Sequence, residues 1–405
     1  MSLISGWHRA GRVFFVPITT GTSETDAKFS GISSYKVRDV PLPVLNFEHR
    51  AQLAKNYLLA TGKFEQDKVE MILQDSLFRV ALADTGGLPG LVVYTCQYDF
   101  DKDTCSVVQH LHHETASYIQ KGWDKRMESI FSAYLARRKV FPSMELVKDG
   151  NYTVQDALDG GTIFLKEGEI RLAPALVSKF NAENSMINSL LVKAPSKTDK
   201  WTWRNFESVH LLYLAAVLAA MIKEKEHFQG ATLGTYLRNM KPSDNAYLFK
   251  PLHLPLNFTA THYKIDPAQC IPRAIPASVS SVIDVDVMDR EHVHQSHTGT
   301  PIIDGYVTLD VGYERLTIFL QYKHSDPESS SSKVRVSHMN QEIEKLGASL
   351  KRHEKWESDR QWIFVWITNR EVESDTLANE RLLWVDKDSL SLHCPLIGNR
   401  GLVGL

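Results

Sequence analysis

Cysteine is scarce in this chain. Its four residues, Cys96, Cys105, Cys270 and Cys394, are scattered through 405 positions without a CxxC pair. That spacing argues against a structural zinc site or a disulfide framework, and makes a reducing intracellular compartment the expectation. No GxxxxGK[ST] occurs, so the phosphate-cradling loop of an NTPase and its lysine are missing. There is no G-x-S-x-G elbow, no kinase signature and no cysteine with a credible histidine partner, which leaves nucleophilic catalysis without a carrier. An excess of either charge is lacking too: the net charge is −2, so any nucleic-acid surface must be local, and the balance counts mildly against tight non-specific DNA binding. The start, Met1 to His8, has no basic segment leading into an apolar one, so no secretory signal is read there. The longest apolar helix candidate, Val209 to Ile222, contains His210 and reads as too short for a bilayer, so no membrane partner is expected.

What is present is ordinary globular material, 43% hydrophobic and 23% charged, which excludes the disordered class. The length suits two or three domains. Val13 to Ile18 reads as a buried strand ending at Thr19-Thr20-Gly21-Thr22-Ser23. Helical periodicity runs over 48–81, Gly86-Gly87-Leu88-Pro89-Gly90 breaks it, and Leu91 to Tyr94 resumes it. Residues 115–146 look helical again. A short capped helix, Thr153 to Gly161, then precedes two strands around Lys166-Glu167-Gly168. Helix followed by hairpin is a winged-helix pattern. Asp156 and Asp159 outnumber basic residues in its recognition segment, which favours packing over DNA binding. Past the polar boundary Ala194–Lys200, a long helix runs from Trp201 to about Lys225, and 244–281 is rich in proline and loops. Ile283 to Val287 and Asp304 to Lys323 read as strands, about 334–354 as a helix, and Trp362 to Ile367 and Leu382 to Val385 as buried strands.

Chemistry concentrates in one hairpin. Asp304 opens a strand, a turn follows around Gly312-Tyr313-Glu314-Arg315, and the next strand ends Gln321-Tyr322-Lys323. Strand side chains alternate faces, so Gln321 and Lys323 share a side, and in-register pairing brings Asp304 to them. A carboxylate, an amide or main-chain oxygen and an ammonium at one strand end can hold a divalent cation and steady a water for phosphodiester hydrolysis. Glu207, between Phe206 and the apolar run from Val209, offers a second carboxylate. The competing reading makes Gln321 and Lys323 ordinary strand-end residues and Glu207 an exposed helical charge.

Glu207 on a leading helix, Asp304, then Gln321-Tyr322-Lys323 resembles the PD-(D/E)xK restriction-endonuclease-like pattern in its Gln-x-Lys variant. The strand ending at Thr19–Ser23, the stretch Asp84-Thr85-Gly86-Gly87-Leu88-Pro89, the winged-helix segment and this hairpin follow one another as in Crinkler-type effectors and retrotransposon-hot-spot proteins, which join an NTPase to a nuclease. The resemblance implies a multidomain α/β chain: a partial NTPase-like region with helical lid at 1–112, a winged-helix-like segment at 113–195 and a restriction-endonuclease-like domain at 200–405. It implies Mg2+ or Mn2+ held by Glu207, Asp304 and Gln321, with Lys323 completing the catalytic set, DNA as partner and a nuclear location. Export as an effector is a further implication. The departures bear on both halves. Gly90 stands where the family's lid places an arginine, and with no Walker loop ATP hydrolysis is not expected. Ile303 replaces the motif's proline, and Gln321 stands where many relatives carry a carboxylate.

Two other readings accompany this one. The nuclease fold can persist as a non-catalytic interaction or DNA-binding scaffold, or the chain can depend on a separate NTPase or host-protein partner, with an N-terminal portion missing from the sequence. The histidines at 110, 112 and 113 and at 292, 294 and 297 lack zinc spacing and read as solvated loop residues. Asp284, Asp286 and Asp289 are a reserve carboxylate set. Lys323, Lys333, Arg335, Lys345, Lys351 and Arg352 could form a phosphate-contacting stripe, although Glu342, Glu344 and Glu354 interleave with it. Trp362 and Trp366 read as core.

Overall fold

The computed structural model describes residues 45–100, 107–108, 110–111, 124–147, 152–159, 163–175, 203–254, 293–296, 302–323, 333–351, 356 and 360–395. The expected strand Val13–Ile18, the strand Ile283–Val287, the acidic set from Asp284 and the histidines at 112, 113, 292 and 297 lie outside them. The chain is a mixed α/β protein, with a helical N-terminal region and a five-stranded mixed sheet.

Four helices come first: α1 (Phe47–Ala60), α2 (Gln66–Gln74), α3 (Ser76–Asp84) and α4 (Pro89–Cys96). The continuous periodicity read over 48–81 is thus divided. Asp75 ends α2 in an extended conformation, and its carboxylate caps α3 by accepting from the Phe78 amide at 2.9 Å. Buried Arg50 serves the other end of α3, donating to the carbonyls of Leu82 and Ala83 at 3.0 and 3.2 Å. These are last-turn carbonyls with no partner inside the helix. Gly86 has φ +62°, and a Cβ there would meet Ala173 Cα at 2.7 Å, so this turn seats against the residues that follow the later hairpin.

Helix α5 (Asp124–Leu135) occupies part of the expected helical stretch, but Glu145–Val147 is strand β1, paired with β2 (Tyr152–Thr153). Helix α6 (Val154–Asp159) and the hairpin β3 (Phe164–Lys166) and β4 (Glu169–Arg171) follow as read. The two turn residues, Glu167 and Gly168, both have positive φ, the conformation a tight hairpin demands. Ile130, Tyr134, Leu135, Ile170 and Leu172 of this segment belong to the same buried cluster as the long helix and the main sheet.

The main sheet has the order β11-β9-β7-β6-β5, formed by β5 (Val293–Gln295), β6 (Gly305–Val311), β7 (Glu314–Lys323), β9 (Gln361–Thr368) and β11 (Leu382–Val385). β5, β6 and β7 pair antiparallel, while β9 and β11 run parallel to β7. The β6–β7 turn is only Gly312-Tyr313, with Gly312 at φ +63°. Helix α7 (Trp203–Lys223) covers one face, burying Val209, Leu214 and Leu218 with Ile318, Leu320 and Tyr322. Helix α9 (Val336–Leu350) covers the other, with Phe319, Phe364 and Trp366. Strands sandwiched this way read as unbroken apolar runs, as Trp362–Ile367 does. A short parallel pair, β8 (Lys333–Arg335) with β10 (Glu371–Glu373), lies beside α9; α8 (Leu233–Tyr236) and α10 (Lys387–His393) complete the described strands and α-helices. Edge strand β11 is covered, since Lys241 and Trp384 exchange main-chain hydrogen bonds at 2.9 and 2.8 Å. Helix α7 spans 21 residues, inside the helix expected from Trp201 to about Lys225, and its stretch 206–223, longer than the apolar run Val209–Ile222, is long and apolar enough to cross a membrane by length and composition alone. Most of that stretch is buried in this fold, which accounts for its apolarity.

Candidate metal centre

The β6–β7 register, Gly305↔Leu320, sets Asp304 beside Gln321 at the end of β7. Asp304 is held at three points. Its amide donates to Leu320 O at 2.8 Å, its carbonyl accepts from Ser296 N at 2.8 Å, and its Oδ2 accepts from Tyr322 N at 2.7 Å. Burial raises its pKa, opposed by that amide bond and by the charge of Lys323. The residue two before it, Ile302, has φ 79°, a conformation that costs a β-branched side chain energy and that only its surroundings can impose.

Gly305 explains how α7 reaches this corner. A Cβ there would meet His294 O at 2.7 Å and Leu211 Cδ2 at 2.7 Å. The absent side chain lets the helix press on the strand beside Asp304. Glu207 is one turn before Leu211 and so shares its face. It is 6% exposed, which removes the reading of it as an exposed helical charge. The next residue, Ser208, accepts from Gln295 Nε2 of β5 at 2.7 Å and fixes the helix against the sheet edge.

Gln321 and Lys323 share a side, as alternation requires: Gln321 pairs with Trp366, and Lys323 Nζ stands 5.9 Å from the centroid of the Trp366 ring. Gln321 is 5% exposed, and its Oε1 has no hydrogen-bond partner. A buried amide oxygen without a donor costs about 1–3 kcal/mol, which a cation could recover. Tyr322, between them, points into the α7 layer. The structure thus brings Asp304, Gln321 and Lys323 to one strand end, while Glu207 is buried on the helix whose Leu211 packs against Gly305 in the next layer.

Among the described residues no three His, Cys, Asp or Glu side chains come together as a metal cage. The strand end itself offers the Asp304 carboxylate and the Gln321 amide oxygen, and the Glu207 carboxylate is on the neighbouring helix. All are hard oxygens, the type magnesium takes, and magnesium keeps several waters and takes further ligands from a phosphate. In chemical type these oxygens fit Mg2+ or Mn2+.

Sequence reasoning missed the groups behind the site. The Tyr322 hydroxyl lies 2.8 Å from His210 Nδ1, His210 Nε2 lies 3.0 Å from His393 Nε2, and His393 Nδ1 lies 2.7 Å from Arg238 O. His210 and His393 are 0% and 3% exposed. Burial depresses both, His210 well below the usual range and with His393 contributing, and His393 to about 4. Burial also pushes the Tyr322 phenol well up, with Glu207 and then Asp304 adding to it. The one sequence signal was a polar His210 inside the apolar run of α7. The other histidines are not solvated loops throughout: His294 lies in β5 and stacks on Tyr306 at 4.4 Å, and His110 stacks on Tyr94 at 5.4 Å. The basic stripe is partly neutralised, since Lys333 pairs with Glu371 at 3.4 Å, Arg335 with Glu373 at 3.5 Å and Lys345 with Glu342 at 2.8 Å.

No protein-family model matches the chain, and no curated protein or solved structure matches it either.

Proposed function

We propose that this chain is a magnesium- or manganese-dependent DNA endonuclease of restriction-endonuclease-like design, a DNA-acting effector of the Crinkler and retrotransposon-hot-spot kind that works in a nucleus. The observation that carries this reading is the buried, partnerless Gln321 Oε1 beside Asp304, two residues before Lys323 on one strand end. The order of elements supports it: a leading helix, three antiparallel strands, a crossover helix, then a strand parallel to the third. When bound, the divalent cation supplies a Lewis acid for the phosphodiester and makes a water easier to deprotonate. Asp304, pinned by the Tyr322 amide, holds the cation at the strand end. Glu207 adds the second carboxylate, and Gln321 Oε1 the neutral ligand. The exposed Lys323 ammonium, close to the Trp366 ring, offsets charge developing on the phosphate.

Plasmid nicking with Mg2+ or Mn2+ tests this. Asp304→Ala and Lys323→Ala are each expected to lower cleavage at least on the order of 100-fold without loss of folding. Cleavage retained in both variants sinks the assignment. A second reading, the nuclease fold kept as an interaction scaffold, is favoured by the amide at Gln321 and by the ion-paired Lys333 and Arg335. It predicts no nicking by the wild type and no rise in Tm with either cation.

A further inference from the structure

Lys323 is held from the neighbouring strand at its main chain and at its ammonium. Strand β9 runs parallel to β7 with Gln321 opposite Trp366 and Lys323 opposite Thr368, so these four side chains share one face of the sheet. The buried Thr368 hydroxyl accepts from the Arg370 amide at 3.2 Å and donates its single proton to the Lys323 carbonyl at 2.6 Å. That bond fixes the last residue of β7. The ammonium lies over the Trp366 ring, 5.9 Å from its centroid, within the range of a cation–π contact. The ring is itself immobilised: Trp366 is 1% exposed, and the His338 ring of α9 meets it edge-on at 5.7 Å and 89°. Among the described residues no carboxylate pairs with Lys323, whereas Lys333, Lys345 and Lys387 each have a glutamate. A ring face attracts a cation through its quadrupole and adds no net charge, so the ammonium keeps its full charge for an incoming anion. Burial raises the Asp304 pKa and the Lys323 charge is among the groups opposing it, so the ammonium stands within electrostatic reach of that carboxylate. The indole Nε1 of Trp366 is buried without an acceptor, a cost that phenylalanine in the same place would avoid. Tryptophan is also the aromatic residue that attracts a cation most strongly.

We propose that Trp366 and Thr368 are positioning residues for Lys323: the Thr368 hydroxyl anchors its main chain, and the Trp366 ring steers its unpaired ammonium to the strand end of Asp304 and Gln321, where it meets a phosphate oxygen. The phosphate rests on the nuclease reading given above; the positioning does not. Without the ring, the four-carbon stem of Lys323 regains its rotamers, and the ammonium spends less time where the phosphate needs it.

Two measurements on the full chain test this. The first is NMR of protein labelled with carbon-13 at the lysine Cε, without DNA or metal. The Lys323 resonance, identified by its loss in Lys323→Arg, should lie upfield of lysines that face no ring and move to their position in Trp366→Leu. An ordinary position in the wild type, or a resonance unmoved by Trp366→Leu, overturns the proposal. Thr368→Val, which keeps the shape but not the hydroxyl proton, should move the resonance part of the way, and no movement overturns the role of Thr368. Should Trp366→Leu fail to fold, the wild-type resonance decides alone. The second measurement is plasmid nicking with Mn2+ under single turnover. Trp366→Leu should slow it about two- to fivefold, and Trp366→Phe, which keeps a weaker ring, should stay within about twofold of wild type. On a Lys323→Ala background, Trp366→Leu should leave the residual rate unchanged, because the group it positions is gone. The same loss in both backgrounds marks a merely structural role and overturns the proposal. A shifted resonance with no nicking by the wild type overturns the nuclease reading and upholds the positioning. Nicking with an unshifted resonance upholds the nuclease and overturns the positioning.

Discussion

On the proposed metal-centre reading, Gln321 sets how tightly the strand end can hold a cation. Its amide oxygen is a hard ligand without charge, so on that reading the negative charge comes from Asp304 and Glu207. Gln321→Glu is isosteric and adds a carboxylate beside an exposed ammonium, and is expected to tighten Mg2+ or Mn2+ binding on the order of tenfold by calorimetry. Unchanged affinity would mean that this side chain does not face the cation. The histidine pair carries a separate consequence. His393 ordinarily titrates near 6.5 but is held neutral in the fold down to about 4. The unfolded chain therefore takes up the proton first as pH falls, so the stability present above pH 6.5 is lost between about 6.5 and 4. The loss at His393 reaches on the order of 3 kcal/mol at the acid end of that window. His210, depressed in the same direction, adds to it. Urea unfolding at pH 7 and pH 4.5 checks this: His393→Gln should flatten the decline by on the order of 2–3 kcal/mol. An equal slope in variant and wild type would place the acid sensitivity elsewhere.

At the scale of elements, the site depends on how closely α7 approaches β6. Gly305→Ala puts a methyl 2.7 Å from His294 O and from Leu211 Cδ2, and the carbonyl cannot yield without disturbing β5. The variant is expected to lose about 1–3 kcal/mol in urea unfolding and to bind Mn2+ more weakly, because Asp304 and Glu207 are pushed apart. Full stability with full affinity would show that the approach does not set the site. This dependence also explains what the sequence disclosed. The hairpin was legible because a two-residue turn and strict alternation fix which side chains meet, and Asp304, Gln321 and Lys323 follow from that register alone. β9, β11 and α9 were legible from their apolar runs and periodicity. The split of 48–81 at Asp75, the strand β1 inside an expected helix and the strand β5 at His294 were not. Each is decided by contacts distant in sequence: Arg50 on the end of α3, Tyr152–Thr153 against β1, Tyr306 under His294. Nor could spacing alone join His210 to His393, 183 positions away, since packing of α10 against α7 creates that pair.

Across the whole molecule, the hairpin-bearing segment and the main sheet act as one body. Arg238, whose carbonyl ends the histidine chain, donates through Nη1 to Glu169 Oε1 of β4 at 2.8 Å and through Nη2 to the Arg137 carbonyl at 3.3 Å. Arg137, buried and at φ 51°, returns its guanidinium to the carbonyls of Leu392 and His393 at the end of α10. These bonds cross between 124–175 and 203–394 in both directions, over an apolar cluster that includes Ile130, Tyr134 and Leu172 from one side and Val209, Tyr213 and Leu218 from the other. Removing the first segment would bare that face of α7 and leave Arg238 without its carboxylate partner. Losing a single large buried side chain already costs about 2–5 kcal/mol, against a total stability of about 5–15 kcal/mol, and here several go at once. A chain beginning at residue 200 is therefore expected not to fold cooperatively: it should aggregate or bind a hydrophobic dye, and show no sharp thermal transition. The full chain should unfold in a single step that carries 124–175 and the sheet together, followed by hydrogen exchange in β4 and β7. Separate protection losses in those two strands would mean that the segment is an independent module, and that the Arg238 carbonyl is held in place by the sheet domain alone.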